Sequence, residues 1–579
     1  MKTVLRQLGR YKRDALLCIG FTALEVVMDI LLPFITAIII DRGLEKADLP
    51  TVYRYGALMV GMAFLSLIFA ASAGRLAARA SSGLSANLRE AIYNNIQTFS
   101  FSNIDKFSVP GLVTRMTTDI TNVQNAFMMV IRVAVRSPLT LVFSYIMCLI
   151  ISPKLSLTFL IAVAFLVVVL GSIMVVTMKI FGKVFRKYDD LNASVQENVS
   201  AIRVVKAFVR EDYENEKFSK ASESLRRLSV KAESLLALNS PAMMTAIYFC
   251  ILMVSWLGAH FIVSGSMSTG ELTSLFSYVL ALMMSLMMLS MVIVMISMSM
   301  ASIRRIDEVL RETPDLKAPE SPVTEVADGS IDFEYVNFSY KHGSGKNVLT
   351  DIDLHIHSGE TIGVIGGTGS GKSSLVNLIC RLYDVDQGAV RVGGVDVRKY
   401  DMETLRNQVA VVLQKNTLFS GTILENLRWG NPDATPQQCV EACKAACADE
   451  FIDRFPDGYQ TRIERGGANV SGGQKQRLCI ARALLKRPKI LILDDSTSAV
   501  DTGTDAKIRA AFARAIPGTT KIIIAQRISS VQEADRIVVL DDGHVDGFDT
   551  HENLLETNAI YREIYESQVQ GGGDFDQSA

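Results

Sequence analysis

Six long apolar segments fill the first half of the 579-residue chain and limit what that half can fold into. Each is close to the roughly 20 residues with which a helix crosses a bilayer. They lie near residues 15–40, 55–79, 130–151, 155–179, 241–264 and 271–300. The overall content of hydrophobic residues, 49%, is high for a soluble protein. The sequence therefore predicts six transmembrane helices.

The connections between these segments predict the orientation of the chain. Those near 42–54, 152–154 and 264–269 are short, whereas those over about 80–129 and 180–240 are long and rich in lysine and arginine. Positively charged connections stay in the cytoplasm, so we place the long connections and both ends of the membrane half there. Their helical periodicity predicts that the membrane helices project beyond the bilayer.

Beyond the sixth segment the sequence pattern changes. Residues 311–329, with Pro314, Pro319 and Pro322, are typical of a linker. From Ile331 onward short β-type runs alternate with helical stretches, which is typical of an α/β domain. We therefore expect a helical membrane domain over 1–310, a linker over 311–329, an α/β domain over 330–570 and a disordered tail over 571–579.

The α/β half contains a phosphate-binding loop of the form G-x-x-x-x-G-K-[ST]. An apolar strand precedes the loop and a helix follows it, which is the context that the motif requires. Lys372 would reach the β- and γ-phosphates of a nucleoside triphosphate, and the Ser373 hydroxyl would bind Mg²⁺. The predicted binding residues are Gly366, Gly367, Thr368, Gly369, Ser370, Gly371, Lys372, Ser373 and Ser374.

Further polar residues follow the predicted strands of this half. Tyr340 could stack on a purine, although a lone aromatic is more often part of a core. Gln414 follows one strand and could touch Mg²⁺ and the attacking water, and Asp494 ends another and suits Mg²⁺. Gln526 ends a third strand. The remaining motifs are a glycine-rich helix start that offers a second anion site, Ser471, Gly472, Gly473 and Gln474, and the segment from Ser498 to Asp501.

In this order the motifs resemble those of ABC exporters of the half-transporter type, and the likeness covers nearly the whole chain. Residues 366–374 are similar to the Walker A motif, 490–494 to Walker B, and 470–474 to the LSGGQ signature with valine for leucine. Tyr340, Gln414 and Asp501 match the A-loop, Q-loop and D-loop. The resemblance implies that two subunits enclose two ATP molecules, each between one chain's Walker motifs and the other chain's signature.

The sequence departs from this family pattern at three places. Asp495 stands where the family has a catalytic glutamate, and Gln526 stands where it has a switch histidine. Residues 464–467 read Glu-Arg-Gly-Gly, which is shifted from the usual Gly-Glu-Arg-Gly. Aspartate is one methylene shorter and glutamine carries no charge, so we expect poor hydrolysis at this chain's own site. This predicts one subunit of a heterodimer; the alternative is a homodimer impaired at both sites.

Polar and soft residues in the membrane segments indicate where a substrate could bind. Glu25 and Asp29 share one face of the first segment, and an intramembrane carboxylate usually faces a cavity or a charged partner. They would either attract a cationic substrate or pair with Arg132, Arg136 or the other subunit. The sixth segment holds seven methionines between residues 283 and 298, including Met287 and Met291. These would either form an adaptable binding wall or simply pack between helices.

Net charge and cysteine content add little to the functional prediction. A net charge of −1 gives no reason to expect nucleic acid as a partner. Among the eight cysteines, Cys439, Cys443 and Cys447 have the spacing of one face of a surface helix, with a metal site as the less favoured reading.

Taken together, the motifs predict a subunit of an ATP-driven exporter in the cell membrane. It would use ATP and Mg²⁺ to move hydrophobic, amphipathic or cationic small molecules outward, with a second half-transporter as its partner. A non-transporting channel or regulator, and a peptide or lipid exporter, remain alternatives because they share these motifs.

Overall fold

A computed structural model describes residues 2–340, 346–496 and 500–571. The chain divides into two compact units, one formed by residues 1–98 and 108–312, the other by residues 99–107 and 313–579. The first is helical and the second is α/β, so the predicted fold class is confirmed. The second unit includes a short segment from the connection between the second and third spans.

The described part of the first half of the chain is almost entirely helical. Its helices are α1 (Lys2–Arg6), α2 (Lys12–Ile38), α3 (Leu49–Gln97), α4 (Phe101–Phe107), α5 (Val109–Thr114), α6 (Ile120–Ile151), α7 (Pro153–Ser200), α8 (Ile202–Ala207), α9 (Glu211–Ala237), α10 (Asn239–Val263) and α11 (Thr269–Arg311).

Six helical stretches of the described chain are long and apolar enough to cross a membrane, as predicted. They cover Gly9–Leu44, Leu49–Gln97, Val109–Ile151, Pro153–Ser200, Glu211–Val263 and Thr269–Arg311. The 49 residues of α3 give a length of roughly 70 Å, more than twice the thickness of the hydrocarbon core. The helices therefore extend well past the bilayer, which confirms the expectation drawn from the long connections.

Polar contacts join α2 to α11 along one interface of the membrane unit. The Tyr278 hydroxyl donates to the Ile30 carbonyl at 2.8 Å, and the Ser274 hydroxyl donates to the Pro33 carbonyl at 2.6 Å. Asp41, just past α2, accepts the Gly270 N–H at 2.7 Å at the start of α11. These bonds give partners to two side-chain hydroxyls and to an N–H in the first turn of α11, which hydrocarbon could not do because it offers no donors or acceptors.

The second unit combines strands with helices. Its strands are β1 (Ile331–Phe338), β2 (Leu349–Ile356), β3 (Thr361–Gly366), β4 (Gln387–Val392), β5 (Val395–Asp396), β6 (Val409–Val412), β7 (Gly421–Thr422), β8 (Arg462–Ile463), β9 (Ile490–Asp494), β10 (Thr520–Ile524), β11 (Arg536–Asp541) and β12 (His544–Asp549). Its helices are α12 (Lys372–Ile379), α13 (Met402–Gln408), α14 (Ile423–Leu427), α15 (Pro436–Ala445), α16 (Asp449–Ile452), α17 (Gly472–Leu485), α18 (Thr502–Ala515), α19 (His551–Thr557) and α20 (Ala559–Gly571).

The strands form a six-stranded sheet in the order β12-β11-β3-β10-β9-β6 and a four-stranded sheet in the order β2-β1-β4-β5. From β11 to β6 all neighbours in the larger sheet are parallel, whereas the four-stranded sheet is antiparallel. The strands β3, β9 and β10 are buried runs, as expected for a parallel sheet covered on both faces.

Several sequence predictions need adjustment in detail. The helix predicted to carry three cysteines ends at Ala445, so Cys447 lies beyond it, with a φ of 53°, and all three thiols are buried. The glycine-rich segment does start a helix, which begins at Gly472 with Ser471 as its cap. In the predicted tail, Gly571 ends α20 and residues 572–579 lie outside the described chain, as do Ser498 and Ala499 of the predicted D-loop.

Candidate nucleotide site and membrane polar cluster

The carboxyl ends of four adjacent parallel strands bring the predicted site residues together. The phosphate loop follows β3, and Gln526, at the switch position, follows β10. Asp494 is the last residue of β9 and Asp495 comes directly after it, while Gln414 follows β6. Parallel strands present their carboxyl ends at the same edge, where ligands of α/β sheets bind. Motifs spread over 160 residues of sequence thus meet at one edge of the sheet.

The phosphate loop depends on glycine at two positions in particular. Gly371 has a φ of 99°, and a Cβ there would lie 2.7 Å from a methyl carbon of Leu349. At Gly366 an added Cβ would approach the Leu540 carbonyl oxygen to 2.1 Å. Larger residues would therefore deform the loop. The loop leads directly into the N-terminus of α12, where N–H groups favour an anion.

The Lys372 ammonium group lies over the phosphate loop. Its Nζ donates to the carbonyl oxygens of Gly366 at 2.9 Å and Gly367 at 2.7 Å. Burial lowers the pKa of Lys372, while the carboxylates of Asp494 and Asp495 oppose that shift. The ammonium group thus lies at the opening of the loop, where phosphate oxygens would replace the carbonyl oxygens as its partners.

Ser373 and Asp494 form a set of oxygen ligands that fits Mg²⁺. Asp494 is buried, with 6% of its surface exposed, and hydrogen-bonds the Ser373 side chain. Burial raises the pKa of Asp494 and the neighbouring Asp495 adds to the effect, whereas Ser373 and Lys372 oppose it. A divalent cation would stabilise the ionised form, because a hydroxyl and a carboxylate are ligands that Mg²⁺ prefers.

Asp495 and Gln526, the two residues that depart from the family pattern, contact each other. The Gln526 side-chain amide donates to the Asp495 carboxylate at 3.0 Å, and the Gln414 amide approaches the same oxygen at 3.4 Å. The Asp495 backbone has a φ of 49°, and its N–H donates to the Ile524 carbonyl at the end of β10 at 3.0 Å. Both glutamine side chains therefore converge on one carboxylate oxygen.

Tyr340 presents a half-exposed ring beside the phosphate loop. Its hydroxyl shares a hydrogen bond of 2.9 Å with the Ser374 hydroxyl. Its ring packs edge-on against Phe338 and Tyr383, with centroid distances of 4.9 and 5.0 Å. Tyr340 has 45% of its surface exposed, and whether a purine stacks on it stays a prediction.

Tyr383 is a residue of this site that sequence reasoning missed. Its hydroxyl donates to the Asp105 carboxylate of α4 at 2.7 Å, and its ring lies 6.1 Å from that of Phe101. Burial raises the pKa of Tyr383, and the bond to Asp105 adds to this shift. Tyr383 thus joins Tyr340 to a helix from the connection between the second and third spans. The partners are 278 residues apart, so no local pattern signalled the contact.

The signature segment forms an exposed helix start. The Ser471 hydroxyl accepts the Gln474 N–H at 3.3 Å, and the Gln474 side-chain oxygen accepts the Ser471 N–H at 2.9 Å. This capping box begins the 14-residue α17, whose opposite face packs into the core. The preceding shifted segment makes a tight turn in which Gly466 and Gly467 have φ values of 69° and 70°.

Asp501, the residue matched to the D-loop, caps the next helix. Its carboxylate accepts the Thr504 N–H at 2.8 Å at the start of α18. This bond holds the pKa of Asp501 below its usual range.

The two intramembrane carboxylates belong to one polar cluster. Arg136 of α6 contacts the Glu25 carboxylate directly and donates to the Asp29 carboxylate at 2.9 Å. The Ser66 hydroxyl of α3 donates to Asp29 at 2.6 Å. Glu25 is buried, with 3% of its surface exposed. Among the partners considered from sequence, Arg136 therefore pairs with both acids.

A cavity of about 620 Å³ opens beside α10 and α11. Seven of the residues that line it are methionines: Met243, Met244, Met284, Met287, Met291, Met295 and Met298. The α11 members recur every three or four residues and so share a helix face. In contrast, Met283 is fully buried in the helical core.

Comparisons with known proteins agree over nearly the whole chain. Residues 15–286 match the family model described as ABC transporter transmembrane region, and residues 349–498 match the model described as ABC transporter. Uncharacterized ABC transporter ATP-binding proteins from Mycobacterium bovis and Bacillus subtilis are 37% and 35% identical, each over 98% of both chains. A fatty acid ABC transporter ATP-binding/permease protein from Mycobacterium bovis is 33% identical over 78% of this chain and 71% of its own length.

The structure of a bacterial Atm1-family ABC exporter with ATP bound shares the fold. Its TM-score is 0.83 at 24% identity, and the match covers 96% of this chain and 99% of that one. The family models, the relatives that align over 98% of both chains and the geometry of the site support the same conclusion. This chain belongs to the ABC transporter family, as a multi-pass membrane protein whose cytoplasmic ATPase domain couples ATP hydrolysis to transport.

Proposed function

We propose that this chain is the degenerate-site subunit of a heterodimeric ABC exporter. The observation that carries the proposal is the 3.0 Å hydrogen bond between Gln526 and Asp495. At this position a glutamate would extend one methylene further, toward a water in line with the γ-phosphate. About an ångström of misplacement can reduce a rate on the order of a hundredfold. A neutral glutamine also supplies no charge to the transition state.

In this proposal the chain's own site binds Mg-ATP firmly but turns it over slowly. Lys372 binds the β- and γ-phosphates, Tyr340 stacks on the adenine, and Ser373 holds Mg²⁺ together with Asp494 and Gln414. The Mg²⁺ ion, when bound, neutralises charge on the phosphates. Gln526 is left to donate to the γ-phosphate.

The signature of this chain, Ser471, Gly472, Gly473 and Gln474, serves the ATP of the partner subunit. Its support is the intact capping box and the exposure of Ser471 and Gly472. A helix start that offers free N–H groups to solvent can bind a phosphate of a second molecule. The partner then supplies the active glutamate and histidine.

The transported molecules are hydrophobic or amphipathic, and the cavity lined by methionines supports this. Flexible thioethers re-pack around varied apolar shapes. The relative named as a fatty acid transporter supports an acyl-chain compound within this class. The charges of Glu25 and Asp29 are met by Arg136, which favours a structural role for them over attraction of cations.

ATP turnover by the full-length chain, alone and with its partner, tests the proposal. The partner would be a second half-transporter with glutamate after Walker B and histidine at the switch position. The chain alone should bind ATP but hydrolyse it at least about tenfold more slowly than the complex, a barrier difference of about 1.4 kcal/mol. Equal rates per site would contradict the degenerate-site assignment. Uptake of a hydrophobic dye into inverted vesicles, dependent on ATP and both chains, tests the substrate class.

A further inference from the structure

The segment that carries Gln526 is held at both ends by one side chain from the C-terminal helix. Gln526 and Arg527 are exposed and lie between buried Ala525 and buried Ile528. The Gln568 side-chain amide donates to the Gln526 carbonyl at 2.8 Å, and its oxygen accepts the Ile528 N–H at 2.9 Å. One carboxamide thus pairs with the backbone on both sides of Arg527.

The helix that carries Gln568 is itself firmly anchored. Tyr561 is fully buried, and its hydroxyl hydrogen-bonds the His551 imidazole at 2.7 Å. Its N–H donates to the Asn558 side chain at 2.7 Å. Ile564, one turn before Gln568, packs against the same core cluster as Ile528. The helix is therefore anchored in the core of the domain, so Gln568 offers the exposed segment a fixed partner.

The residue restrained by Gln568 also contacts Asp495, next to the position proposed for the γ-phosphate. The Gln526 backbone is bound to Gln568, and its side chain donates to Asp495 at 3.0 Å. Fixing the backbone limits where the Gln526 amide can point, because only its side-chain torsions remain free. Without Gln568 the carbonyl of residue 526 and the N–H of residue 528 would lose these partners.

We propose that Gln568 is a positioning residue that aims Gln526 at the γ-phosphate and so makes this site prefer ATP over ADP. The inference rests on the proposed function, in which Gln526 donates to the γ-phosphate. ADP lacks that phosphate, so only ATP affinity depends on the aim of Gln526. A residue that merely stabilised the domain would change the affinities for ATP and ADP alike.

The test measures Mg-ATP and Mg-ADP affinities of the full-length chain by competition with a fluorescent nucleotide. The variants are Gln568→Ala, Gln526→Ala and the double substitution. The matched control is Ser567→Ala, since that hydroxyl donates only to the Ile564 carbonyl of its own helix among the contacts described, at 2.9 Å. We expect Gln568→Ala to lower the ATP-to-ADP affinity ratio about fivefold, less than full loss of a hydrogen bond to a charged phosphate, because the Gln526 amide would be misaligned and not removed. The control should keep the ratio of the unaltered chain.

The double substitution shows whether Gln568 acts through Gln526. If it does, the double variant should match Gln526→Ala alone, because residues in one network are not additive. Gln568→Glu keeps the acceptor for Ile528 but loses the donor to Gln526, so it should also lower the ratio. An unchanged ratio in Gln568→Ala, or equal losses for both nucleotides, would overturn the inference.

The outcomes also separate the inference from the proposed function. If Gln526→Ala lowers the ratio and Gln568→Ala does not, the inference fails while the role of Gln526 stands. If Gln526→Ala leaves the ratio unchanged, both assignments fail. Thermal unfolding of each variant shows that the chain remains folded, which we expect because Gln568 lies on the surface.

Discussion

In our proposal, two differences slow ATP hydrolysis at this site: Asp495 is one methylene shorter than glutamate, and Gln526 lacks the charge that a histidine can carry. Asp495 cannot extend as far as glutamate, and its carboxylate is already engaged by the Gln526 and Gln414 amides. Such hydrogen bonds to an ionised group are worth about 1.5–3 kcal/mol when buried, although these residues are partly exposed and gain less. In our proposal, this carboxylate therefore contributes to local structure more than it prepares a water for attack.

The first prediction follows from this engagement of Asp495. Asp495→Asn should lower steady-state ATP hydrolysis of the assembled complex by less than about threefold, because in our proposal catalysis occurs at the other site. Removing the corresponding glutamate of the partner should lower it by at least about a hundredfold. Loss of all activity in Asp495→Asn would reverse the assignment of the two sites.

A second prediction concerns the pH dependence of ATP binding. Burial lowers the pKa of Lys372, and bound phosphates require the charged form. The free protein therefore loses this proton at a lower pH than an ordinary lysine does, and ATP binding must restore it. ATP affinity of this chain should fall as the pH rises, and the fall should begin at a lower pH than it would for a lysine with the ordinary pKa of about 10.4. Lys372→Arg binds more weakly but should remove this dependence, because arginine stays charged throughout.

At the scale of the element, the start of α17 has two roles that can be separated. Its capping box stabilises the helix, and in our proposal its hydroxyl and N–H groups contact the partner's ATP. Helix α15 begins with a similar capping box, Thr435 with Gln438, that has no proposed contact with nucleotide. The two helices therefore form a matched pair.

The third prediction uses that pair. Ser471→Ala and Thr435→Ala should each cost about 1 kcal/mol of stability, the usual effect of losing a cap. Only Ser471→Ala should also lower ATP turnover of the complex, by at least about tenfold. Thermal unfolding and ATP hydrolysis, measured on the same preparations, separate the effects. Equal turnover in the two variants would rule out the role proposed for the signature.

The polar cluster shows how the membrane helices α2, α3 and α6 are joined. Arg136 has 43% of its side chain exposed and Glu25 only 4%, so the pair is unevenly buried. Removing one partner of a fully buried pair costs about 3–5 kcal/mol, because a charge is left uncompensated. The partial exposure of Arg136 and Asp29 reduces that cost.

The fourth prediction therefore contrasts a broken cluster with a neutral one. Arg136→Gln should destabilise the detergent-solubilised protein by on the order of 2 kcal/mol, since two carboxylates lose their cation. Adding Glu25→Gln and Asp29→Asn should recover most of that stability. The measurement is the thermal unfolding midpoint of each variant. If the triple variant transports neutral dyes normally but loses cationic ones, the carboxylates bind substrate after all.

At the scale of the whole molecule, ATP binding has to reach the membrane helices to drive transport. Tyr383 contacts both Tyr340 and Asp105, and α4 groups with the ATPase unit although it comes from the connection between two spans. A purine that stacks on Tyr340 would therefore contact a ring packed against Tyr383, which in turn contacts α4. We expect these contacts to transmit nucleotide occupancy to α4.

The fifth prediction tests this route. Tyr383→Phe keeps the ring contacts and removes only the hydroxyl that donates to Asp105. ATP affinity should change by less than about twofold, whereas stimulation of ATP hydrolysis by transported dye should fall several-fold, since a hydrogen bond to a charged group is lost. Asp105→Asn should behave alike. Equal loss of affinity and stimulation would indicate a general effect on the nucleotide site.

The sequence by itself determined the six spans, the α/β half and the nucleotide motifs. Each of these can be recognised from residues that are close together in sequence. A membrane span needs about 20 consecutive apolar residues, a helix or strand has its own hydrophobic period, and a phosphate loop needs glycines at fixed spacings. The sequence also identified Asp495 and Gln526 as departures.

Only the tertiary structure decided which distant residues meet. Arg136 and Glu25 are 111 residues apart, and Tyr383 and Asp105 are 278 apart. Gln568 reaches the Gln526 carbonyl across 42 residues. Such pairs depend on how helices rotate about their axes and on the order of strands in the sheet. Both are set by the packing of the whole core, so no spacing along the chain encodes them.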